Sequence, residues 1–181
     1  MLFHFNVTLT DKDYLDYNAF WTLKSPYGKK QSRGLKIFII ALFSIMSLYT
    51  LISDGLSLST YIRVIVYLLV MSLFLALYNP FFVHVLNRQI KSLKKQGKMA
   101  YSPVAEMEFY DEYFTETTPE NKTEQKYSAV ERVSILADKT VFIHVNTIMS
   151  YILPSASFES SEQYESFIDF IKTKCASIDT Y

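Results

Sequence analysis

Apolar residues follow three different rhythms along this chain. Over residues 2–9 they alternate, with Phe3, Phe5 and Val7 on one side, which predicts a short strand. Over residues 37–52, and again over 64–85, they run almost continuously, the second run interrupted at Asn79-Pro80 and at His84. From Ala105 onward the two-residue alternation returns: Ala105, Met107 and Phe109 interleave with Glu106 and Glu108. Further strands are predicted at 113–117, 125–129, around Val133 and Ile135, at 141–145 (nearly all apolar, hence central) and at 149–153. Asp111-Glu112 and Asp138-Lys139 mark turns between them, and Pro154 closes the last strand.

Two helices are predicted outside the apolar runs. Thr10 followed by Asp13 forms a variant capping box for a helix to about Leu23, ended by Ser25-Pro26-Tyr27-Gly28. Its Tyr14, Tyr17, Asn18 and Trp21 share one side, which suits either a membrane boundary or packing on the C-terminal half. At the other end, Ser160 with Gln163 caps a helix on which Tyr164, Phe167, Ile168, Ile171, Cys175 and Ile178 recur at three- and four-residue spacing.

About 20 apolar residues at 1.5 Å each cross a hydrocarbon core of roughly 30 Å. The second run meets that length, and the first does so if extended to Leu58. Basic residues bracket the pair: Lys24, Lys29, Lys30, Arg33 and Lys36 before, and Arg88, Lys91, Lys94, Lys95 and Lys98 after. Bases in short flanks stay in the cytoplasm, so both termini are expected there, with a small outer loop at 53–61. The rhythm Val83, Leu86, Ile90, Leu93 carries the second helix beyond the membrane, with Arg88, Lys91, Lys95 and Lys98 opposite. Pro80 is expected to kink it. Ala41 and Ser44 on one span, and Ser72 and Ala76 on the other, are the small residues available for helix packing.

The prediction is an α+β membrane protein: a two-helix transmembrane hairpin plus a cytoplasmic antiparallel β-sheet of pleckstrin-homology-like outline, capped by a C-terminal α-helix. Its parts are 1–34 (strand and amphipathic helix, cytoplasmic), 35–85 (hairpin), 86–100 (basic helical extension) and 101–181 (acidic domain). The N-terminal strand is a candidate to complete the sheet.

A formal charge of zero hides a division. Residues 1–100 carry 12 bases and 4 acids, a net of +8, and 101–181 carry 6 and 14, a net of −8. The first half makes a collar for anionic headgroups, of which Lys29, Lys30, Arg33, Lys36, Arg88, Lys91, Lys95 and Lys98 are the candidates. In the second half Glu106, Glu108, Glu112 and Glu116 are the candidate acidic face for a protein partner. An acidic domain argues against nucleic acid. The lone Cys175 excludes an intramolecular disulfide and suits a reducing compartment. His4, His84 and His144 have no second ligand at metal spacing, and no phosphate loop or nucleophile elbow is present. Neither catalysis nor a cofactor or metal is expected.

Leu9-Thr10-x-x-Asp13-Tyr14, Tyr17-Asn18, Ser25-Pro26-Tyr27-Gly28-Lys29-Lys30 and Leu153-Pro154-x-x-x-Phe158 resemble the motifs of YcxB-like proteins. The resemblance implies a bacterial membrane protein with a cytoplasmic pleckstrin-homology-like domain and supplies no mechanism. Basic residues that such proteins often carry after the Pro are here Ser155 and Ala156, which weakens a phosphate-binding role for that loop. The function expected is a membrane-anchored, non-enzymatic interaction module, with an immunity protein against a membrane-damaging toxin as the alternative and a lipid sensor as the second. The partners they imply are the bilayer and a second protein, and homo-oligomerisation is left open.

Overall fold

The computed structural model describes residues 1–97, 101–146 and 149–181. Its elements are β1 (Phe3–Thr8), α1 (Asp11–Leu23), α2 (Pro26–Asp54), α3 (Leu58–Lys95), β2 (Val104–Phe109), β3 (Tyr113–Thr117), β4 (Lys122–Lys126), β5 (Arg132–Ile135), β6 (Val141–His144), β7 (Ser150–Leu153), α4 (Ser161–Lys174) and β8 (Ile178–Thr180). They fall into two units, residues 1–17 with 97–181, and residues 18–96. The predicted boundary at residue 34 therefore does not separate them: residues 1–17 group with the C-terminal half.

In the first unit, β1 joins β2 antiparallel, with Phe3 opposite Phe109, Phe5 opposite Met107 and Val7 opposite Ala105. The helices α2 and α3 are thus inserted between two neighbouring strands of one sheet. The expected single sheet is two four-stranded ones, ordered β1-β2-β3-β4 and β7-β6-β5-β8. The division falls where a strand was expected at 125–129. Tyr127–Ala129 instead form a 3-10 turn. Tyr127 is buried there and its hydroxyl donates to the Tyr110 carbonyl at 2.9 Å. A buried phenol requires such an acceptor, and meeting it takes the chain out of the first sheet.

The inner faces of both sheets and α4 share one core. Phe5, Phe109, Phe114 and Phe167 lie at its centre. Phe167 stands edge-on to Phe5 and Phe109, with ring centroids at 5.0 and 4.8 Å, an arrangement aromatic quadrupoles favour. Ser160 caps α4 as predicted, accepting from the Gln163 amide at 3.2 Å, while the Gln163 side chain reaches one residue further back, to the Glu159 amide at 2.8 Å. The helix ends at Lys174. Ile178, expected on its apolar face, instead sits in β8, which adds to β5 in parallel.

In the second unit, α2 and α3 form an antiparallel pair. The predicted stop at Ser25-Pro26-Tyr27-Gly28 is also a start. Buried Ser25 caps α2 by accepting from the Gly28 amide at 3.0 Å, and its hydroxyl donates to the Trp21 carbonyl. Pro26 occupies the first turn, where its missing N–H costs nothing. The hairpin turn is tighter than expected, only 55–57, with Gly55 at φ 66°. Pro80 lies inside one continuous helix that runs on to Lys95; of the expected extension 86–100, residues 98–100 lie outside the described residues.

Candidate functional site

The hairpin presents apolar surface outward. Ile37, Phe38, Ile45, Leu48, Tyr49 and Ile52 on α2, and Ile65, Leu69, Leu73, Phe74 and Phe81 on α3, are all exposed. Both helices are long and apolar enough to cross a membrane, and the most apolar window of each is only 11% and 6% buried. The core helix of a soluble protein would be mostly covered.

The seam between α2 and α3 differs from the predicted one. Ala41, Ser44, Ser72 and Ala76 are exposed. Buried Ser47 and Thr50, with half-buried Phe43, mark the inner side of α2. On α3 the covered positions are Thr60, Val64, Tyr67, Met71, Leu75, Tyr78 and Phe82, a three-and-four repeat that suits a long two-helix seam. Phe43 meets Phe74 at 6.5 Å between centroids. Ser47 and Thr50 can face the seam because each hydroxyl donates back to its own helix, to the Phe43 and Met46 carbonyls at 2.8 Å.

Bases gather at one end of this pair. Lys29, Lys30, Arg33 and Lys36 occupy the first turns of α2, and Arg88, Lys91 and Lys95 the last turns of α3; Lys98 lies outside the described residues. Lys36 Nζ sits 5.3 Å from the Tyr78 ring centroid, a cation–π distance. The far end carries the one acid of the unit, Asp54, 2.6 Å from Arg63. The structural division sharpens the charge contrast. Residues 18–96 hold 10 bases and 1 acid, a net of +9, and residues 1–17 with 97–181 hold 8 and 17, a net of −9.

The four candidate glutamates do not form one face. Glu106 and Glu108 lie opposite Thr117 and Thr115, on the outer side of the first sheet. Glu112 is in the turn that follows. Glu116 lies opposite Met107, on the core side. Burial raises its carboxyl pKa. The outer side is also mixed in sign. Glu108 accepts from Tyr110 and Thr115 hydroxyls at 3.1 and 3.3 Å and has Lys122 at 4.0 Å.

A hydrogen-bonded chain with no local signature in the sequence crosses the outer face of the second sheet. The Tyr17 hydroxyl donates to Ser150 Oγ at 2.8 Å, Ser150 Oγ meets His144 Nδ1 at 2.8 Å, and His144 Nε2 meets Ser134 Oγ at 3.0 Å. Only the register β5–β6–β7 brings these hydroxyls beside the imidazole, since His144 lies opposite Ser150. Burial, with the nearby Arg132 guanidinium, lowers the His144 pKa to about 4, so the ring is neutral at pH 7. Ser134 and His144 are 1% and 2% exposed. The hydrogen-bonded chain seats Tyr17, whose ring is edge-on to Phe142 at 5.2 Å.

Cys175 is buried, and burial alone pushes its thiol to about 11, well away from nucleophile range. His4 and His84 are exposed on β1 and α3. Among the described residues no group of three or more His, Cys, Asp or Glu is placed to hold a metal ion.

No curated protein and no solved structure matches the chain. Residues 109–171, from the end of β2 to Ile171 of α4, match the family model of the YcxB-like proteins, the family to which the short motifs pointed.

Proposed function

We propose that this chain is a non-enzymatic interaction module of the bacterial inner membrane. In this reading α2 and α3 cross the bilayer, both termini are cytoplasmic, and the acidic unit is held at the inner leaflet to bind a protein partner. The observation that carries it is the coincidence of two partitions: exposed apolar surface on α2 and α3, and a charge contrast of +9 against −9 between the units. Exposed apolar surface running the length of both helices is what a bilayer-facing pair presents. A net-acidic unit is repelled by anionic headgroups, which leaves a cationic protein surface as its natural complement. Two sheets closed by a C-terminal helix support the pleckstrin-homology-like outline.

The test is purification of the tagged full chain from its native membranes in mild detergent, with co-purifying proteins identified by mass spectrometry. A stoichiometric resident envelope protein with a basic surface is expected. Recovery of the chain alone would count against a protein partner, and recovery from the soluble fraction would remove the anchor.

One observation favours a narrower reading. Ser72 and Ala76, four residues apart, are exposed on α3 instead of being used against α2, and small residues let a further helix approach closely. An immunity protein that captures helices of a membrane-damaging toxin would use such a face. A secreted pore-forming polypeptide in the same purification would select this reading over a resident partner.

A further inference from the structure

We infer that a cleft at the basic end of the hairpin binds one anionic diacyl phospholipid of the surrounding leaflet. This rests on the proposal that α2 and α3 span a bilayer.

The cleft has a volume of about 460 Å³ and is formed by the end of α1, the start of α2 and the later part of α3. That size falls in the roughly 300–1,000 Å³ range of small-molecule sites. Its lining is mixed: Thr22 and Gln31 are polar, and Leu35, Phe38, Tyr78 and Phe82 are apolar or aromatic. Such a lining suits an amphiphile. Gly34 leaves the middle open: a Cβ there would meet nothing within 4 Å.

Charge selects the class of amphiphile. Lys36 lies directly beside the Tyr78 wall, and Lys30 stands one turn before Gly34 on the same side of α2. The unit's single acid, Asp54, is engaged with Arg63 at the far end of the hairpin. A headgroup carrying net negative charge gains from these bases; a zwitterionic one does not. In the proposed orientation the cleft lies at the inner interface, where a lipid enters it sideways with its chains already in the hydrocarbon.

Trp21, the only tryptophan, precedes Thr22 and reports on the cleft. The full chain is reconstituted in neutral phosphatidylcholine vesicles, and Trp21 quenching is followed against brominated phosphatidylglycerol or brominated phosphatidylcholine. Half-maximal quenching is expected at a mole fraction at least about fivefold lower for the anionic lipid. Gly34→Leu, which fills the cleft without meeting neighbouring atoms at Cβ, is expected to erase that difference while helix content stays unchanged. Lys36→Gln is expected to reduce it about fivefold. Coincident curves for the two lipids overturn the proposal. A preference retained in Gly34→Leu assigns the attraction to the collar as a whole and also overturns it. A chain that does not enter vesicles, with Trp21 unquenched by either lipid, removes the spanning reading and the site with it.

Discussion

A Cβ on Gly28 would stand 2.2 Å from the carbonyl oxygen of Thr22. The first turn of α2 lies directly on the last turn of α1, and only a residue without a side chain fits between them. Gly28→Ala must push the two backbones apart, at a cost of about 1–3 kcal/mol, the usual range for overpacking. Gly34→Ala, in open space on the same helix, is expected to be neutral or to stabilise by about 0.5–1 kcal/mol. Thermal melting of the full chain in mild detergent compares the two, and equal effects would contradict the close approach.

Ser25 joins the same corner by a different means. It accepts from the Gly28 amide and donates to the Trp21 carbonyl, so one hydroxyl serves both helices. Ser25→Ala is expected to cost about 1 kcal/mol for the lost cap, or more because the site is buried. Ser25→Thr, which keeps the hydroxyl, is expected to recover part of that loss in the same melting assay.

The insertion of α2 and α3 between β1 and β2 makes the acidic unit discontinuous. A fragment of residues 101–181 lacks β1, and with it Phe5 and Val7 of the core. Such a fragment is expected to show weak near-ultraviolet dichroism and a broad melt. A chain joining residues 1–10 to 101–181 through a short Gly/Ser linker is expected to restore a cooperative transition. Phe5→Ala in the full chain removes the same packing locally and is expected to cost about 3–5 kcal/mol. A cooperative, well-packed 101–181 fragment would contradict the role of β1.

The depressed His144 pKa carries a pH dependence of defined sign. The folded value of about 4 lies below the ordinary 6.5, so between these values the unfolded chain binds more protons. Stability from the neutral ring is complete above pH 6.5 and is lost as pH falls toward 4. The loss amounts to about 3 kcal/mol at most. Glu116 opposes this only at the acid end, because its raised pKa favours folding once it is protonated. His144→Gln is expected to flatten the melting profile between pH 7 and pH 5. A wild-type melting temperature that does not change over that interval would refute the assignment.

Much of the architecture is written locally. The two apolar runs, the bases beside them, the capping residues Thr10 and Ser160, and the alternation at 105–109 and 113–117 each depend on neighbours within a few residues, and all are found where the pattern puts them. Capping at Thr10 is reciprocal: its amide and hydroxyl donate to Asp13 Oδ2 at 2.8 and 2.6 Å, and Asp13 N–H donates back to Thr10 Oγ1 at 3.2 Å. Small size does not mark the seam of α2 and α3: Ala41, Ser44, Ser72 and Ala76 are exposed, and the packed positions follow the three-and-four repeat from Thr60 to Phe82.

What the sequence determined by itself is the kind of most elements, though not of Tyr127–Ala129 or of β8, and the separation of charge, because hydrophobic period, capping and composition are properties of short windows. Only the tertiary structure decided that β1 pairs with β2 across the inserted helices, that the strands divide into two sheets, and that β8 returns in parallel beside β5. It also decided the fate of single residues. Glu116 faces inward because the register sets it against Met107, and His144 finds two serines because β5 and β7 flank it. Register is a relation between distant segments, and a shift of one residue reverses every side chain, so no local pattern encodes it.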